Sequence, residues 1–327
     1  MPVGSIVSVL ICSYTEERWP ALVAAVESVG AQTAPPSEIV VVVDHNSGLL
    51  DRVRSELSTV TATENKEERG AAGSRNSGVA VARGSIIACL DDDAVADPRW
   101  LEQLLPHFVD NRVLGVGGPI GSIWEAPRPS WFPEEFDWVV GCTYPGLPTQ
   151  PAPVRNLIGC NMAFRRDVFD AIGGFRGNLG RVGKVPISSE ETEFCIRALQ
   201  HWPERHWLYE PLARVAQRVP ASRACWRYFR SRCYDEGRSK ALMTTYVGSA
   251  QGLASEREYT LRTLPRGMAR HALNAIVRRD KAEGARAVLI PVGLLITATG
   301  YAKGKLTARR SRGSGSPSLT RGTSAQA

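Results

Sequence analysis

The chain has 327 residues, 43% of them hydrophobic and 22% charged, with 8 Trp, 8 Tyr and 8 Phe. That composition excludes a disordered or fibrous chain and supplies a core for one large domain or two ordinary ones. The net charge of +7 hides an asymmetry: residues 1–200 carry 17 Lys and Arg against 25 Asp and Glu, a balance of −8, whereas residues 201–327 carry 23 against 8, a balance of +15.

A basic C-terminal part suits nucleic acid, anionic lipid or a phosphorylated ligand, and charge alone does not choose among them. The N-terminal MPVGSIVSVLICSYTEE has no basic n-region or small-residue cleavage site, so a cytoplasmic protein is expected. The 7 cysteines form no C-x-x-C pair and several lie within apolar runs, which favours reduced, buried thiols over disulfides or a zinc site.

Strand and helix signals alternate through the first hundred residues. SIVSVLIC (5–12) predicts a buried strand, and a helical pattern follows from Arg18 to Gly30. EIVVVVD (38–44) predicts a second strand, a polar helix covers 48–58, and TVTAT (59–63) is a weaker strand. A helix of small residues lies within 71–84, and SIIACLD (85–91) is another buried strand. Pro98 suits an early position of a helix ending near Phe108. Apolar strands alternating with helices imply a mainly parallel sheet covered on both faces.

Ligands of open α/β sheets bind beyond the carboxyl ends of the strands. Those ends here read CSYTEE (12–17), DHNS (44–47) and DDD (91–93). Three adjacent carboxylates repel one another unless a cation offsets them, and a hard divalent ion takes one or two carboxylates together with phosphate oxygens. The sequence has no G-x-x-x-x-G-K-[ST] loop, and GVGGPIG (115–121) misses G-x-G-x-x-G at Ile120. Phosphates are therefore not cradled in either of those ways.

Beyond residue 120 the pattern changes. Residues 124–153 hold Trp124, Trp131, Trp138, Phe132 and Phe136 among seven prolines, which predicts an ordered excursion over the sheet. VRNLIGCNMAF (154–164) reads as a strand, followed by a short helix ending at Gly173-Gly174. SSEETEFCIRALQ (188–200) opens a helix with Glu190 and Glu191 in its first turn, where the helix dipole favours anions. Residues 225–243 are helical and basic. The most apolar stretch, 287–302, reads as a packing helix, an interfacial segment or, less readily given its Pro and Gly, a membrane span. The residues from 308 onward have the composition of a disordered tail.

VSVLICSYTEE, EIVVVVDHNS and GAAGSRNSGVAVARGSIIACLDDDAVADPRWL, followed by NLIGCNMAFRRDVFDAIGGF and SSEETEFCIRAL, resemble the family 2 glycosyltransferases. The resemblance runs from about residue 6 to about residue 240 and implies a GT-A fold, which is Rossmann-like, with a mixed, mainly parallel sheet flanked by helices. On this reading residues 1–215 form the glycosyltransferase domain, its nucleotide-binding half 1–120 and its acceptor half 121–215. Residues 216–307 form a basic helical extension and 308–327 the tail.

Carried over residue by residue, the resemblance implies that Ser13, Tyr14 and Glu16 line the base and ribose pocket. It implies that Asp44 accepts from the base and that Arg75 lies near the nucleotide. Asp91-x-Asp93 is the DXD motif, with Asp93 as metal ligand and Asp91 or Asp92 nearer the ribose. Glu191, preceded by Glu190, stands where relatives carry the aspartate general base. Gln217 stands where many relatives have a histidine, with Arg218 and Arg223 as candidates for diphosphate contact.

The implied activity is metal-dependent, inverting transfer from a nucleotide-diphosphate sugar, with Mg²⁺ or Mn²⁺, to a sugar, lipid-linked or small-molecule acceptor. No nucleic acid is expected as a partner. The basic, apolar C-terminus suits peripheral contact with the inner face of the cell membrane. A nucleotidyltransferase on a related α/β fold, or a catalytically silent relative, is the alternative; the acidic CSYTEERWP argues against the first.

Overall fold

β-Branched, nearly continuous apolar runs become central strands because both of their faces are buried by helices. A computed structural model of the chain describes residues 6–180 and 189–313. Strands β1 (Val7–Ser13), β2 (Glu38–Val43), β3 (Thr61–Glu64) and β4 (Ile86–Asp91) alternate with helices α1 (Trp19–Gly30), α2 (Ser47–Glu56) and α3 (Ala71–Val81). The short β5 (Ala94–Ala96) follows, then α4 (Trp100–Leu104), β6 (Val113–Gly117) and β7 (Ile120–Trp124). Next come β8 (Ala152–Val154), β9 (Asn161–Arg165), α5 (Arg166–Ile172), α6 (Glu190–His201), β10 (His206–Tyr209) and β11 (Val215–Val219).

The main sheet has the order β3-β2-β1-β4-β9-β6-β10-β8. β1 pairs in parallel with β2 and β4, β2 with β3, and β6 with β10, whereas β9 runs antiparallel between β4 and β6. A second sheet, β5-β11-β7, takes its strand β5 from the segment just after the aspartates. The chain thus crosses from one sheet to the other at Asp92 and Asp93, which pins both residues at the junction.

Three local expectations change. The helix expected to include Pro98 begins at Trp100, because Pro98 sits in a turn in which Trp100 N donates to the Asp97 carbonyl (2.9 Å). The strand expected over 154–164 splits into β8 and β9 with a loop between, and that loop lines a cavity instead of joining the sheet. The domain boundary expected at 215/216 falls inside β11.

The C-terminal part is helical: α7 (Trp226–Val247), the short α8 (Ser249–Gly252) and α9 (Ala254–Glu258), then α10 (Leu264–Arg278) and α11 (Lys281–Gly313). Phe229 of α7, Leu264 of α10 and Ile290 of α11 belong to the same apolar cluster as β1, β2 and α1, so these helices share the sheet's core. The last helix continues to Gly313, past the start of the expected disordered tail; residues 314–327 lie outside the described residues.

α11 lies against α7 through small residues. A Cβ at Gly300 would collide with the Tyr234 carbonyl, and one at Gly237 with the Thr297 carbonyl. Gly300→Leu is expected to force the two helices apart and to lower stability by about 1–3 kcal/mol, read as a reduced midpoint in urea.

Candidate active site

The three aspartates have three different environments. Asp92 is buried; Ser13 Oγ donates to its Oδ2 (2.7 Å) and Arg18 Nη1 to its Oδ1 (2.9 Å). Both of its oxygens are engaged beneath the turn, with Ser13 buried beside it. Arg18, in the single helical turn Glu16–Arg18 capped by Thr15, also lies 3.3 Å from Asp93 Oδ2. Asp91, whose side chain is 38% exposed, faces outward and sits 3.4 Å from Arg75 Nη2.

Asp93 is buried too, with Gln217 Nε2 at 3.4 Å and Arg223 Nη2 at 3.9 Å. Burial pushes its pKa up to about 6; Arg18 opposes the shift, and the neighbouring charges of Asp91 and Asp92 add to it. Gln217 Oε1 and Arg218 Nε are buried without hydrogen-bond partners, while the Arg218 backbone N–H donates to the Asp93 carbonyl (2.8 Å). Among the described residues, no group of three or more His, Cys, Asp or Glu is arranged to hold a metal ion.

At the ends of β1 and β2, Tyr14 is 47% exposed, with the Arg18 guanidinium 5.3 Å from its ring centre. Glu16 is on the surface, 3.9 Å from Arg52. Asp44 Oδ1 accepts from Asn65 Nδ2 (2.7 Å) and Oδ2 from the Gly70 N–H (2.9 Å). Asp44 Oδ1 also faces His45 Nδ1 (2.9 Å), so this carboxylate closes its loop.

Arg75 joins the two halves of the site. It lies on α3, buried, and its Nη1 donates to Glu190 Oε1 (2.8 Å) while Nη2 faces Asp91. Burial opposes its charge, but Glu190 and Asp91 outweigh burial and hold the guanidinium firmly protonated. Gly159 leaves room for it, since a Cβ there would collide with Nη2.

The second oxygen of Glu190, Oε2, is buried with no partner. Glu191 beside it is half-buried, and its pKa is pushed up to about 8, first by burial and then by the charge of Glu190, against the pull of Arg75. Of two adjacent acids at a helix start, one is tied to an arginine and the other is not.

Asp91, Arg75, Glu190 and Glu191 line one cavity of about 910 Å³, which runs between the sheet and the C-terminal helices. Ser13, Tyr14, Glu16 and Asp44 are not among its walls; they lie at and just beyond the carboxyl ends of β1 and β2. Of the aromatic excursion, Trp138 lines the cavity and donates from Nε1 to Tyr259 Oη (3.0 Å), whereas Trp131 packs against Phe132, Trp226 and Phe229. Arg223 lines the cavity. His201 stands against Trp202 (4.3 Å between ring centres), and His206 opens β10.

Sequence reasoning missed Arg18 as the counter-ion of the aspartates. Its signal was available: it is the single Lys or Arg in the first 50 residues, close behind a strand end rich in acids.

Residues 8–173 match the profile of glycosyl transferase family 2. A glucosyl-dolichyl phosphate glucuronosyltransferase of Haloferax volcanii is 38% identical over 241 residues, covering 72% of this chain and 77% of the relative. A pre-mycofactocin glycosyltransferase of Mycobacterium tuberculosis is 28% identical over 149 residues, 45% of this chain and 30% of the relative. Among solved structures, a mannosyltransferase from Pyrobaculum calidifontis in complex with GDP-Man and Mn²⁺ superposes with a TM-score of 0.58 at 16% identity, over 94% of this chain and 89% of that one. That likeness establishes the GT-A fold.

Proposed function

This chain belongs to glycosyl transferase family 2 and is a nucleotide-sugar glycosyltransferase, and from that premise we propose that it transfers a sugar with inversion onto a lipid-linked acceptor. The observation that carries this reading is the single cavity in which Asp91 and the Glu190–Glu191 pair face one another across Arg75. The diphosphate end of a donor at the aspartates and a hydroxyl at the glutamates are then neighbours, as direct displacement requires.

Glu191 takes the acceptor hydroxyl's proton as its oxygen bonds to C1 of the sugar and the bond from C1 to the diphosphate breaks. Attack and departure on opposite sides of C1 invert the anomeric centre. A carboxylate of raised pKa is a stronger base than an ordinary one once it is ionised. Glu190, paired with Arg75, orients the acceptor through its unpartnered Oε2. Arg223, 3.9 Å from the Asp93 oxygen that Arg18 also approaches, offers the departing diphosphate a cation.

The donor set suits a hard divalent cation: Asp93 supplies a carboxylate, and the buried Gln217 Oε1 beside it is an oxygen without a partner. Asp93, with Asp91 on its exposed side, would hold Mg²⁺ or Mn²⁺, whose chemistry there is to offset the charge of the leaving diphosphate. The lipid-linked acceptor is supported by the name of the Haloferax relative and by the cavity's aromatic wall of Trp138, Tyr144 and Tyr259. Such an acceptor puts the enzyme at a membrane, on its cytoplasmic face.

A screen of UDP-, GDP- and dTDP-sugars by thermal shift with and without Mn²⁺ tests the donor assignment. One nucleotide class is expected to stabilise the protein, and more strongly with Mn²⁺. Asp93→Ala is expected to weaken Mn²⁺-dependent donor binding at least about thirtyfold, about 2 kcal/mol of lost charge stabilisation. Unchanged Mn²⁺ dependence in that variant rejects Asp93 as the ligand.

A further inference from the structure

We infer that the outward face of α10 and α11 docks on an anionic lipid bilayer. The inference adds a docking surface to the lipid-linked reading above and rests on that reading only for the acceptor's nature. Leu273, Ile276 and Val277 of α10 and Val288 and Leu295 of α11 are exposed by 62% to 77%. Met268, Ala272 and Ile276 recur every four residues and are exposed, so apolar surface runs along α10 as a stripe.

The opposite sides of both helices are already committed. On α10, Leu264 enters the main core and a Cβ at Gly267 would collide with Glu135 Oε1. His271, also buried, lies with Nδ1 2.7 Å from Glu283 and Nε2 3.3 Å from Glu135, which ties α10 to α11 and to the aromatic excursion. α11 turns Gly293, Gly300 and Gly304 toward α7 and the aromatic excursion. The exposed stripe therefore cannot be the side that the fold needs.

α11 is long and apolar enough over Lys281–Thr307 to cross a bilayer, with 17% of its most apolar window buried. Its glycine contacts with α7 hold it against the domain, so it lies along a surface and does not span. Charge selects the occupant. Residues 259–281 carry six Arg or Lys (262, 266, 270, 278, 279 and 281) against one acid, Asp280, for a net +5; Arg262 pairs with Glu258 and Arg270 with Glu134 and Glu135, so Arg266, Arg278, Arg279 and Lys281 carry the basic edge. An apolar stripe edged by arginines matches the boundary between acyl chains and anionic headgroups.

The surface and the cavity share a helix. Leu294, Thr297 and Tyr301 of α11 line the cavity while Leu295 faces outward, and Leu261, exposed by 75%, follows the cavity-lining Tyr259 and Thr260. A lipid-linked acceptor resting in the bilayer would thus enter beside α11 without leaving its leaflet.

The test is flotation of the full-length protein with vesicles of phosphatidylcholine containing roughly 30% phosphatidylglycerol, against pure phosphatidylcholine. Flotation is expected with the anionic vesicles, weaker at high salt, and at least about tenfold lower for Ile276→Glu/Val277→Glu, which should keep the wild-type melting temperature and nucleotide-sugar binding. Flotation unaffected by the double variant overturns the inference. So does sedimentation as a dimer that the double variant splits, because the stripe is then covered by a second copy. A protein that binds nucleotide sugar but does not float leaves the transferase reading standing without this surface; one that floats but binds no nucleotide sugar does the reverse.

Discussion

Glu191→Gln is expected to lower the turnover number about a thousandfold, the range of a lost general base, while nucleotide-sugar affinity stays within about twofold of wild type. The amide keeps the size and the position at the start of α6 and removes the basicity, so the loss falls on the chemical step. Donor affinity is measured by calorimetry and turnover by release of the nucleoside diphosphate. Near-normal turnover in the variant removes Glu191 from the reaction.

The wild-type pH profile carries the same assignment. A base whose pKa is pushed up to about 8 is mostly protonated, hence inactive, below that value. The rate at limiting acceptor should rise with pH and level off above about 8. Glu190→Gln removes the neighbouring charge that raises Glu191 and frees Arg75 to attract it, so the limb should move to lower pH. A limb that stays in place shows that another group sets it.

The second large effect belongs to Arg75. Arg75→Met leaves Glu190 buried without its partner, which should cost about 3–5 kcal/mol of stability and abolish transfer. Arg75→Met/Glu190→Gln removes both charges together and should recover a good part of that stability, but none of the activity. Urea denaturation of the wild type, both single variants and the double variant gives the coupling directly. Additive losses would mean that the 2.8 Å pair contributes nothing as a pair.

The pairing of Arg75 with Glu190 also marks the limit of what local pattern reveals. The two are 115 residues apart, and the partners Arg18 and Asp92 are 74 apart. Residue type identified each of these groups as charged, but only a sheet that puts β1, β4 and the start of α6 at one end makes pairs of them. The same holds for Gln217, which reaches Asp93 because β11 pairs with β5, immediately after the aspartates.

By itself the sequence determined the alternation of strands and helices, the acid-rich strand ends, the family and the two glutamates opening α6. Each of these is written within a short window, as a period of apolar residues or a cluster of like charges. Only the tertiary structure separated the environments of the three aspartates and the two sides of the last helix. Adjacent carboxylates look alike until burial and counter-ions distinguish Asp92, held by Ser13 and Arg18, from Asp93. An apolar helix with basic flanks looks the same whether it packs, spans or lies on a surface. The glycine contacts put one side of α11 against α7 and leave Val288 and Leu295 exposed on the other.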